Sequence, residues 1–375
     1  MKILIVFGTR PEAIKMAPVI EVLQKEERFQ TKVCVTGQHR HMLDQVLSVF
    51  SISPDFDLDL MRTDQDVTDI TGLVLVGMRD LLNQWRPDIL LVHGDTTTAM
   101  ATSLAAFYQR IRIGHIEAGL RTGNIYMPWP EEMNRKVIDD LSYLHFAPTV
   151  AAKEHLLREG VSPKSIYVTG NTVVDALLGI SNRIDNDVEI RNKMQKNFSF
   201  LNPAKRLILV TGHRRESFGE GFINVCQALL TLSERNDIQI VYPVHLNPNV
   251  QEPVMRILSA APNIYLIEPQ DYLQFVYLMK QSYMILTDSG GVQEEAPALG
   301  KPVLVMRDIT ERPEALAAKT ALLVGTNQQQ IVLQTNSLLD DAQRYQMMCR
   351  AHNPYGDGRT AERIRNILIE LEGNI

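Results

Sequence analysis

Short apolar runs alternate with amphipathic stretches along the whole chain, and this alternation constrains the fold more than any other feature. The runs lie at 2–7, 32–36, 88–93, 112–117, 165–169, 206–211, 239–244, 263–267, 283–287 and 302–306. Several are apolar at successive positions, as strands covered on both faces are. The segments between them, such as 13–25, 68–84 and 221–234, carry apolar residues at helical spacing. The pattern predicts an α/β protein with parallel, doubly wound sheets and enough strands for two of them.

The length of the chain predicts two domains. A chain of 375 residues is more than a single core usually takes up. The best boundary lies around 170–202, where the polar stretch 181–196 separates two strand runs. We therefore expect a Rossmann-like domain over 1–169 and a second over 170–356, facing each other across a cleft. The final helix, about 357–375, is expected to pack back on the first domain.

Composition narrows the function classes. A formal charge of −6 argues against a general nucleic-acid binder, although a local cluster of cations can still hold a small anion. The cysteines Cys34, Cys226 and Cys349 are isolated, so their spacing favours neither a zinc site nor a disulfide framework. No apolar run is long enough for a signal-peptide core or a membrane span. We expect a cytoplasmic protein that binds neither membranes nor nucleic acids.

Acidic residues follow strands of the first half, where ligands of parallel sheets bind. Asp95 follows the strand run at 88–93, Glu117 ends the run at 112–117, and Glu131 opens a predicted helix. Each has a simpler explanation when taken alone, because Asp95 can cap a helix and Glu131 can favour a helix dipole. Three carboxylates on one rim favour acid–base chemistry instead.

The loop after the first strand has the sequence GTRPE at 8–12. Gly8 permits a tight turn, and Pro11 suits the first turn of a helix. Arg10 and Lys15 can both point toward an anion at that helix N-terminus. The alternative is that they are ordinary surface charges on a turn.

Cations and glycines follow strands of the second half. The sequence GHRRE at 212–216 follows one strand run, and DSGGVQEE at 288–295 follows another. Ser289, Gly290 and Gly291 would present backbone N–H groups at a helix start, which suits a diphosphate. A plain Gly-rich turn is the alternative interpretation.

Two further side chains of the second half suit a nucleoside. Glu295 lies one turn into the helix that begins near Gly290, where a carboxylate can accept both ribose hydroxyls. Phe275 can face a base, although a core phenylalanine at helical spacing is the simpler interpretation.

Other motifs lack the context that they need. The segment GDGRTA at 356–361 matches a dinucleotide fingerprint formally, but no strand precedes it. The sequence HRH at 39–41 has no further ligands nearby, and DLD at 57–59 is better explained as alternating strand residues. A Walker A sequence is absent from the chain. We therefore predict neither a metal nor a cofactor.

Taken together, these motifs resemble those of bacterial non-hydrolysing UDP-N-acetylglucosamine (UDP-GlcNAc) 2-epimerases over essentially the whole chain. The matching segments are 7–15, 93–97, 115–121, 130–135, 212–216, 288–296 and 310–314. Many long motifs in the right order are far more specific than any one of them. The resemblance implies two Rossmann-like domains of the GT-B type and a nucleotide-sugar substrate.

The resemblance also implies a reaction. Members of that family expel UDP from C1, lose the C2 proton to give 2-acetamidoglucal, and add UDP back after protonation from the other face. The product is UDP-N-acetylmannosamine (UDP-ManNAc), which usually feeds cell-surface polysaccharide synthesis. Such a route needs carboxylates to move protons and stabilise positive charge, and cations to hold the departing UDP.

Residue roles follow from the resemblance, position by position. It implies that Asp95, Glu117 and Glu131 form the acid–base set, without assigning a face of C2 to each. His213 is implied as a partner of the leaving diphosphate and a candidate proton donor. The other implied substrate contacts are Arg10, Lys15, Ser289, Gly290, Gly291 and Arg312, with Gln270 and Phe275 for uracil and Glu295 for ribose.

One departure from the family pattern leaves regulation open. Bacterial members can be activated by UDP-GlcNAc in a second site, reached through a Gln-rich loop and a nearby arginine. Gln38 and His245 are kept here, but Asp64 stands where a basic residue would align. A homodimer is expected from the family alone.

Two rival functions remain at the level of sequence. A GT-B glycosyltransferase would use the same UDP-sugar site, but the acid-rich rim of the first half would be surplus to it. A nucleotide-sugar-binding regulator without turnover would have no use for three converging carboxylates.

Overall fold

The protein is described by a computed structural model that covers residues 1–37, 40–60, 62 and 64–373, with only the backbone of 40–42. Gln38, named above for a second substrate site, lies outside the described residues. The chain divides into two compact units, Met1–Ala176 with Tyr355–Ile375, and Leu177–Pro354. Within the described residues, no helix is both long and apolar enough to cross a membrane.

The first unit contains a seven-stranded parallel sheet in the order β3-β2-β1-β4-β5-β6-β7. The order in which successive strands join the sheet reverses between the parallel neighbours β1 and β4, and ligands bind at such a point in folds of this kind. The strands are β1 Lys2–Phe7, β2 Gln30–Val35, β3 Phe56–Asp57, β4 Ile89–His93, β5 Arg112–Ile116, β6 Leu144–Ala147 and β7 Ile166–Val168.

Helices cover both faces of that sheet. They are α1 Arg10–Gln24, α2 Arg40–Val49, α3 Val67–Gln84, α4 Thr97–Tyr108, α5 Glu131–Leu141, α6 Val150–Arg158 and α7 Thr172–Asn186, the last of which runs across the boundary between the units. The first unit has separate apolar clusters. Ile3 and Ile5 of β1 belong to one of them, whereas Leu4 and Val6 belong to a second. Strand β1 is apolar at successive positions because its alternate side chains enter two different cores.

The second unit contains a six-stranded parallel sheet in the order β10-β9-β8-β11-β12-β13. Its strands are β8 Arg206–Thr211, β9 Ile238–Pro243, β10 Ile264–Ile267, β11 Met284–Thr287, β12 Val303–Val305 and β13 Ala321–Leu323. The remaining helices are α8 Val188–Asn197, α9 Glu220–Leu232, α10 Pro248–Leu258, α11 Tyr272–Gln281, α12 Gly290–Glu295, α13 Pro313–Ala317, α14 Gln328–Asp340, α15 Ala342–Cys349 and α16 Thr360–Glu372.

The predicted fold class, two doubly wound parallel sheets, is confirmed. The division between the units falls after Ala176, and α16 packs on α1 in the first unit, where Ile364 and Leu368 are fully buried. The polar stretch at 181–196 lies within α7 and α8.

Two strands, β6 and β13, were missed by the sequence pattern, whereas the two-residue strand β3 overlaps the segment 57–59 that was interpreted as strand residues. β13 has three residues, so it carries no periodicity of its own. β6 contains His145, which interrupts an apolar run even though the side chain is buried. A buried histidine of this kind is recognisable only through its tertiary partner, the backbone oxygen of Asp139 at 2.8 Å.

Candidate active site

Glu117 follows β5 in a backbone conformation that few residues adopt. Its φ is +68°, in the left-handed region, which costs a non-glycine residue of the order of 1 kcal/mol. The carboxylate is 8% exposed and forms an ion pair with Lys15 of α1. Asn171 donates a hydrogen bond to the same oxygen at 2.9 Å. A strained residue that holds a buried carboxylate against a lysine is typical of a functional site.

His93, the last residue of β4, lies beside this ion pair. Its Nε2 is 3.8 Å from Oε2 of Glu117, has no hydrogen-bond partner among the described residues, and is buried. The pKa of His93 is lowered to about 3, mainly by burial and also by the charges of Lys15 and His115, whereas Glu117 opposes the shift. The ring is therefore neutral near pH 7 and does not neutralise Glu117.

Asp95 is held by the helix that follows in the chain. Arg135 of α5 forms an ion pair with its carboxylate, and the side chain of Asn134 donates to its backbone oxygen at 2.9 Å. Arg135 is itself paired with Glu132 at 2.9 Å. Because Asp95 remains 25% exposed, its carboxylate is both positioned and accessible.

Glu131 is the first residue of α5 and is partly exposed. Its carboxylate makes no side-chain hydrogen bond or ion pair with another residue in the part of the chain that the structure describes. It lies four residues before Arg135, and therefore on the same face of α5. One helix thus carries Glu131 and also holds Asp95.

Glu12 connects the loops after β1 and β4. Its carboxylate is buried and accepts hydrogen bonds from the backbone and hydroxyl of Thr9, at 2.8 and 2.7 Å, and from the hydroxyl of Thr96 at 2.7 Å. Burial raises the pKa of Glu12, and these hydrogen bonds oppose the rise. This role of Glu12 was not predicted from the sequence, although the T-x-x-E pattern from Thr9 to Glu12 is a capping-box signal that could have revealed it. Arg10, at the start of α1, is partly buried.

In the second unit, Asp288 after β11 organises the turn after β8. One carboxylate oxygen accepts the backbone N–H groups of His213 and Arg214, at 2.6 and 2.8 Å. The other lies 3.5 Å from Nδ1 of His213. The ring of His213 stacks on His245 at a centroid distance of 5.3 Å and is 43% exposed. Partial burial lowers the pKa of His213, which Asp288 opposes.

The Ser-Gly-Gly turn lies next to Arg312. Ser289 immediately precedes α12, and a Cβ placed on Gly290 would meet only the guanidinium of Arg312, at 3.8 Å. That guanidinium is fixed by an ion pair with Glu294, whose side chain is 2% exposed. Gly290 and Arg312 therefore border the same open space, as an anion site requires.

The residues expected to contact the nucleoside lie around the start of α11. Glu295 is buried and accepts a hydrogen bond from the hydroxyl of Tyr272 at 2.8 Å. Gln270 precedes α11 and donates to the backbone oxygen of Glu268 at 2.6 Å, and Phe275 is half-buried in the helix. Across the described residues, no group of three or more His, Cys, Asp or Glu side chains is arranged to hold a metal ion.

Two doubly wound sheets, one with carboxylates at its strand ends and the other with a Gly-rich turn beside an arginine, define an enzyme with Rossmann-like domains of the GT-B type. A family profile described as UDP-N-acetylglucosamine 2-epimerase matches residues 21–369. The chain belongs to this family, which confirms the resemblance and the enzyme class predicted from the motifs.

Individual relatives agree along the full length. The chain is 58% identical over 369 residues to the UDP-N-acetylglucosamine 2-epimerase of Escherichia coli K12, covering 98% of each chain. It is 55% identical to that of Campylobacter jejuni, over 100% of this chain and 98% of the relative. The crystal structure of the Neisseria meningitidis UDP-GlcNAc 2-epimerase bound to UDP-GlcNAc is similar, with a TM-score of 0.92, 51% identity and coverage of 99% and 100%.

Proposed function

We propose that this protein interconverts UDP-GlcNAc and UDP-ManNAc by inverting C2 of the sugar. The observation that carries the proposal is the set of carboxylates at the strand ends of the first unit. Glu117 is buried against Lys15, Asp95 is held by Arg135, and Glu131 lies on the helix that supplies Arg135. The relatives named above, one of them bound to UDP-GlcNAc, support the choice of substrate.

The chemistry explains why several carboxylates are needed. The C2 hydrogen is not adjacent to a carbonyl, so a base cannot simply remove and return it. We propose that UDP leaves C1, that the C2 proton is then lost to give 2-acetamidoglucal, and that protonation from the opposite face precedes the return of UDP. Carboxylates stabilise the positive charge at C1 and carry the protons.

The three carboxylates differ in whether they are ion-paired to another described residue, and this difference supports different roles for them in the reaction. Asp95 and Glu117 are each held in place by an ion pair with a cation, which suits them to stabilise positive charge or to accept a proton. Glu131 can take up or release a proton without breaking an ion pair to another described residue. Asp95, Glu117 and Glu131 are therefore proposed as the acid–base set, with the face of C2 that each serves left to experiment.

The second unit is proposed to hold UDP while it is detached. His213, the Ser289–Gly291 turn and Arg312 offer a ring N–H, backbone N–H groups and a guanidinium, which suit the charge that develops on a departing diphosphate. In the first unit, Arg10 and Lys15 are proposed as additional anion contacts. Glu295 is proposed for the ribose, and Gln270 and Phe275 for the uracil.

Two further aspects are proposals that follow from the family. We propose that the UDP-ManNAc formed supplies cell-surface polysaccharide synthesis in the cytoplasm. We also propose that the protein acts as a homodimer, which sedimentation of the purified protein would test.

Incubation with UDP-GlcNAc alone in D2O, followed by proton NMR, tests the proposed function. We expect UDP-ManNAc to appear and deuterium to enter C2 of both nucleotide-sugars. The absence of exchange at C2 would overturn the proposal. Accumulation of free UDP and ManNAc as the main products would indicate a hydrolytic reaction instead.

A further inference from the structure

Strand β5 carries a buried histidine that the mechanism proposed above does not use. The side chain of His115 is fully buried, and both ring nitrogens have partners. Its Nδ1 is 2.6 Å from a carboxylate oxygen of Asp139 in α5, and its Nε2 is 2.7 Å from the backbone oxygen of Gly94. The ring therefore connects α5 to the turn that carries Asp95.

The partners of His115 determine where its protons lie. The carbonyl oxygen of Gly94 can only accept, so Nε2 must carry a proton. The second carboxylate oxygen of Asp139 accepts from Arg121 at 2.7 Å and from the backbone N–H of Gly119 at 3.3 Å. The guanidinium of Arg121, paired with Asp139 at 2.7 Å, favours the ionised carboxylate, which can only accept. Nδ1 of His115 must then donate to the first carboxylate oxygen, so it also carries a proton.

The state of Asp139 agrees with this assignment. Burial by itself raises the pKa of Asp139, but the charges and hydrogen bonds of His115 and Arg121 outweigh it, and the net pKa is lowered. Asp139 is therefore an anion that two buried cations share.

This pair constrains both turns that present the carboxylates. The N–H of Gly94 donates to the backbone oxygen of Ile116 at 2.9 Å, and its carbonyl oxygen accepts from the His115 ring. Both backbone polar groups of the residue before Asp95 are therefore bound by β5. Gly119, which follows Glu117 by two residues, is tied to Asp139. We propose that the doubly protonated ring of His115 and the carboxylate of Asp139 are a positioning pair that aligns Asp95 and Glu117 for the reaction.

The pair acts through other residues, and its role in turnover rests on the proposed function. Without the His115 ring, the carbonyl of Gly94 loses its donor and Asp139 loses one of its cations. The turn before Asp95 is then free to shift. A displacement of about 1 Å in a reacting group can lower a rate about 100-fold.

The protonation state is tested first, in the wild-type protein labelled with 15N-histidine and observed by NMR at pH 7. We expect one histidine with protons on both ring nitrogens, and its signals should vanish in His115→Gln. If the signals lost in that variant show only one protonated ring nitrogen, the assignment is wrong. This measurement does not depend on turnover, so it would stand even if no exchange at C2 were found.

Kinetics then test the positioning role. In His115→Gln we expect kcat to fall about 100-fold while KM changes less than about threefold, because the ring supports the turns of the reacting carboxylates and is not itself a proposed substrate contact. His145→Gln is the matched control, since His145 is another buried histidine, on the neighbouring strand β6, whose hydrogen bond goes to the backbone oxygen of Asp139 and not to its carboxylate. Equal kcat values in the two variants would overturn the positioning role.

A conservative variant separates hydrogen bonding from charge. In Asp139→Asn, the new amide nitrogen can donate to an unprotonated Nδ1 of His115, while its oxygen still accepts from Arg121. We expect His115 to lose its Nδ1 proton in the NMR spectrum, and kcat to fall less than tenfold because the link survives. A kcat as low as that of His115→Gln would contradict positioning through this link.

Discussion

The strand ends of the two units contain charges of opposite kinds, arranged in different ways. In the first unit, buried carboxylates are held by side chains from neighbouring elements, as Glu117 is by Lys15 and Asn171. In the second unit, two buried acids hold other groups in place: Asp288 accepts two backbone N–H groups, and Glu294 fixes the guanidinium of Arg312. Apart from Glu295, which is proposed for the ribose, the groups proposed to face a ligand there are mainly cations and backbone donors.

This difference indicates how one doubly wound architecture can supply two chemistries. The same topological position, a loop after a parallel strand, holds acids ready for proton transfer in one unit and donors ready for an anion in the other. The fold supplies the position, and the side chains and their partners decide the chemistry. Substitutions in each unit can therefore test whether proton transfer belongs to the first unit and anion binding mainly to the second.

The largest effect is expected from Glu117→Gln in the first unit. Exchange at C2 should fall about 10³-fold, because a proton-transfer or charge-stabilising carboxylate is lost. The affinity for UDP should stay within about threefold, since the proposed UDP contacts lie mainly in the second unit. NMR in D2O and calorimetric titration with UDP measure the two quantities.

The control for Glu117 is Asp88→Asn. Asp88 is an exposed carboxylate at the opposite end of β4, where it accepts a hydrogen bond from the backbone of Lys2 at 2.7 Å. We expect Asp88→Asn to exchange the C2 hydrogen at the wild-type rate. A loss of exchange in this variant would mean that the effect is not specific to the carboxylate of Glu117. Loss of UDP binding in Glu117→Gln would contradict the assignment of proton transfer to the first unit and of UDP binding mainly to the second.

Arg312→Gln should affect both stability and UDP binding. Removal of the guanidinium leaves Glu294, which is 2% exposed, without this partner, at a cost of about 3 kcal/mol in the free energy of unfolding. UDP should bind at least about tenfold more weakly, because a charge-assisted contact is lost. Urea denaturation and titration with UDP give both values.

A double variant separates the two effects of Arg312. In Arg312→Gln with Glu294→Gln, the buried charge is removed along with its partner, so most of the stability should return. The affinity for UDP should remain low. If UDP binding recovered together with stability, Arg312 would serve only as scaffolding.

The buried neutral ring of His93 predicts a pH dependence in the first unit. Its folded pKa of about 3 lies below the unfolded value of 6.5, so the unfolded chain binds the extra proton as the pH falls. Stability should therefore decrease below about pH 6.5, by up to about 1.4 kcal/mol per pH unit. Between pH 7 and 5, His93→Gln should lose about 2 kcal/mol less than the wild type in urea denaturation. Equal losses would show that His93 is protonated in the folded protein.

The smallest effect is expected from Gly290→Ala in the second unit. The added methyl group meets only the guanidinium of Arg312, at 3.8 Å, so the fold should tolerate it. It would occupy space assigned to the diphosphate, and we expect UDP to bind about tenfold more weakly, a change of about 1.4 kcal/mol.

Gly179→Ala is the matched control for Gly290. Gly179 lies on the exposed side of α7, where an added Cβ meets nothing within 4 Å. UDP binding should be unchanged, and stability should rise by about 1 kcal/mol from helix propensity. If Gly290→Ala bound UDP with unchanged affinity, the proposal that the diphosphate lies at this turn would be wrong.

The fold class and the positions of the candidate site residues along the chain follow from local sequence patterns. Successive apolar residues in strands such as β1 require two covered faces, and that requirement is local enough to see in the chain. Motifs such as the one around Ser289 are contiguous, so they also identify the family without any coordinates.

The pairing of these side chains, in contrast, depends on how the chain folds in three dimensions. Lys15 and Glu117 are 102 residues apart, and Arg135 and Asp95 are 40 apart, so no local spacing relates them. They meet because β1 lies beside β4, and β4 beside β5, which brings the loops after these strands to one edge of the sheet. The same holds for His115, whose place between Asp139 and Gly94 depends on how α5 packs. Such partners arise from strand order and helix packing, which are collective properties of the folded chain.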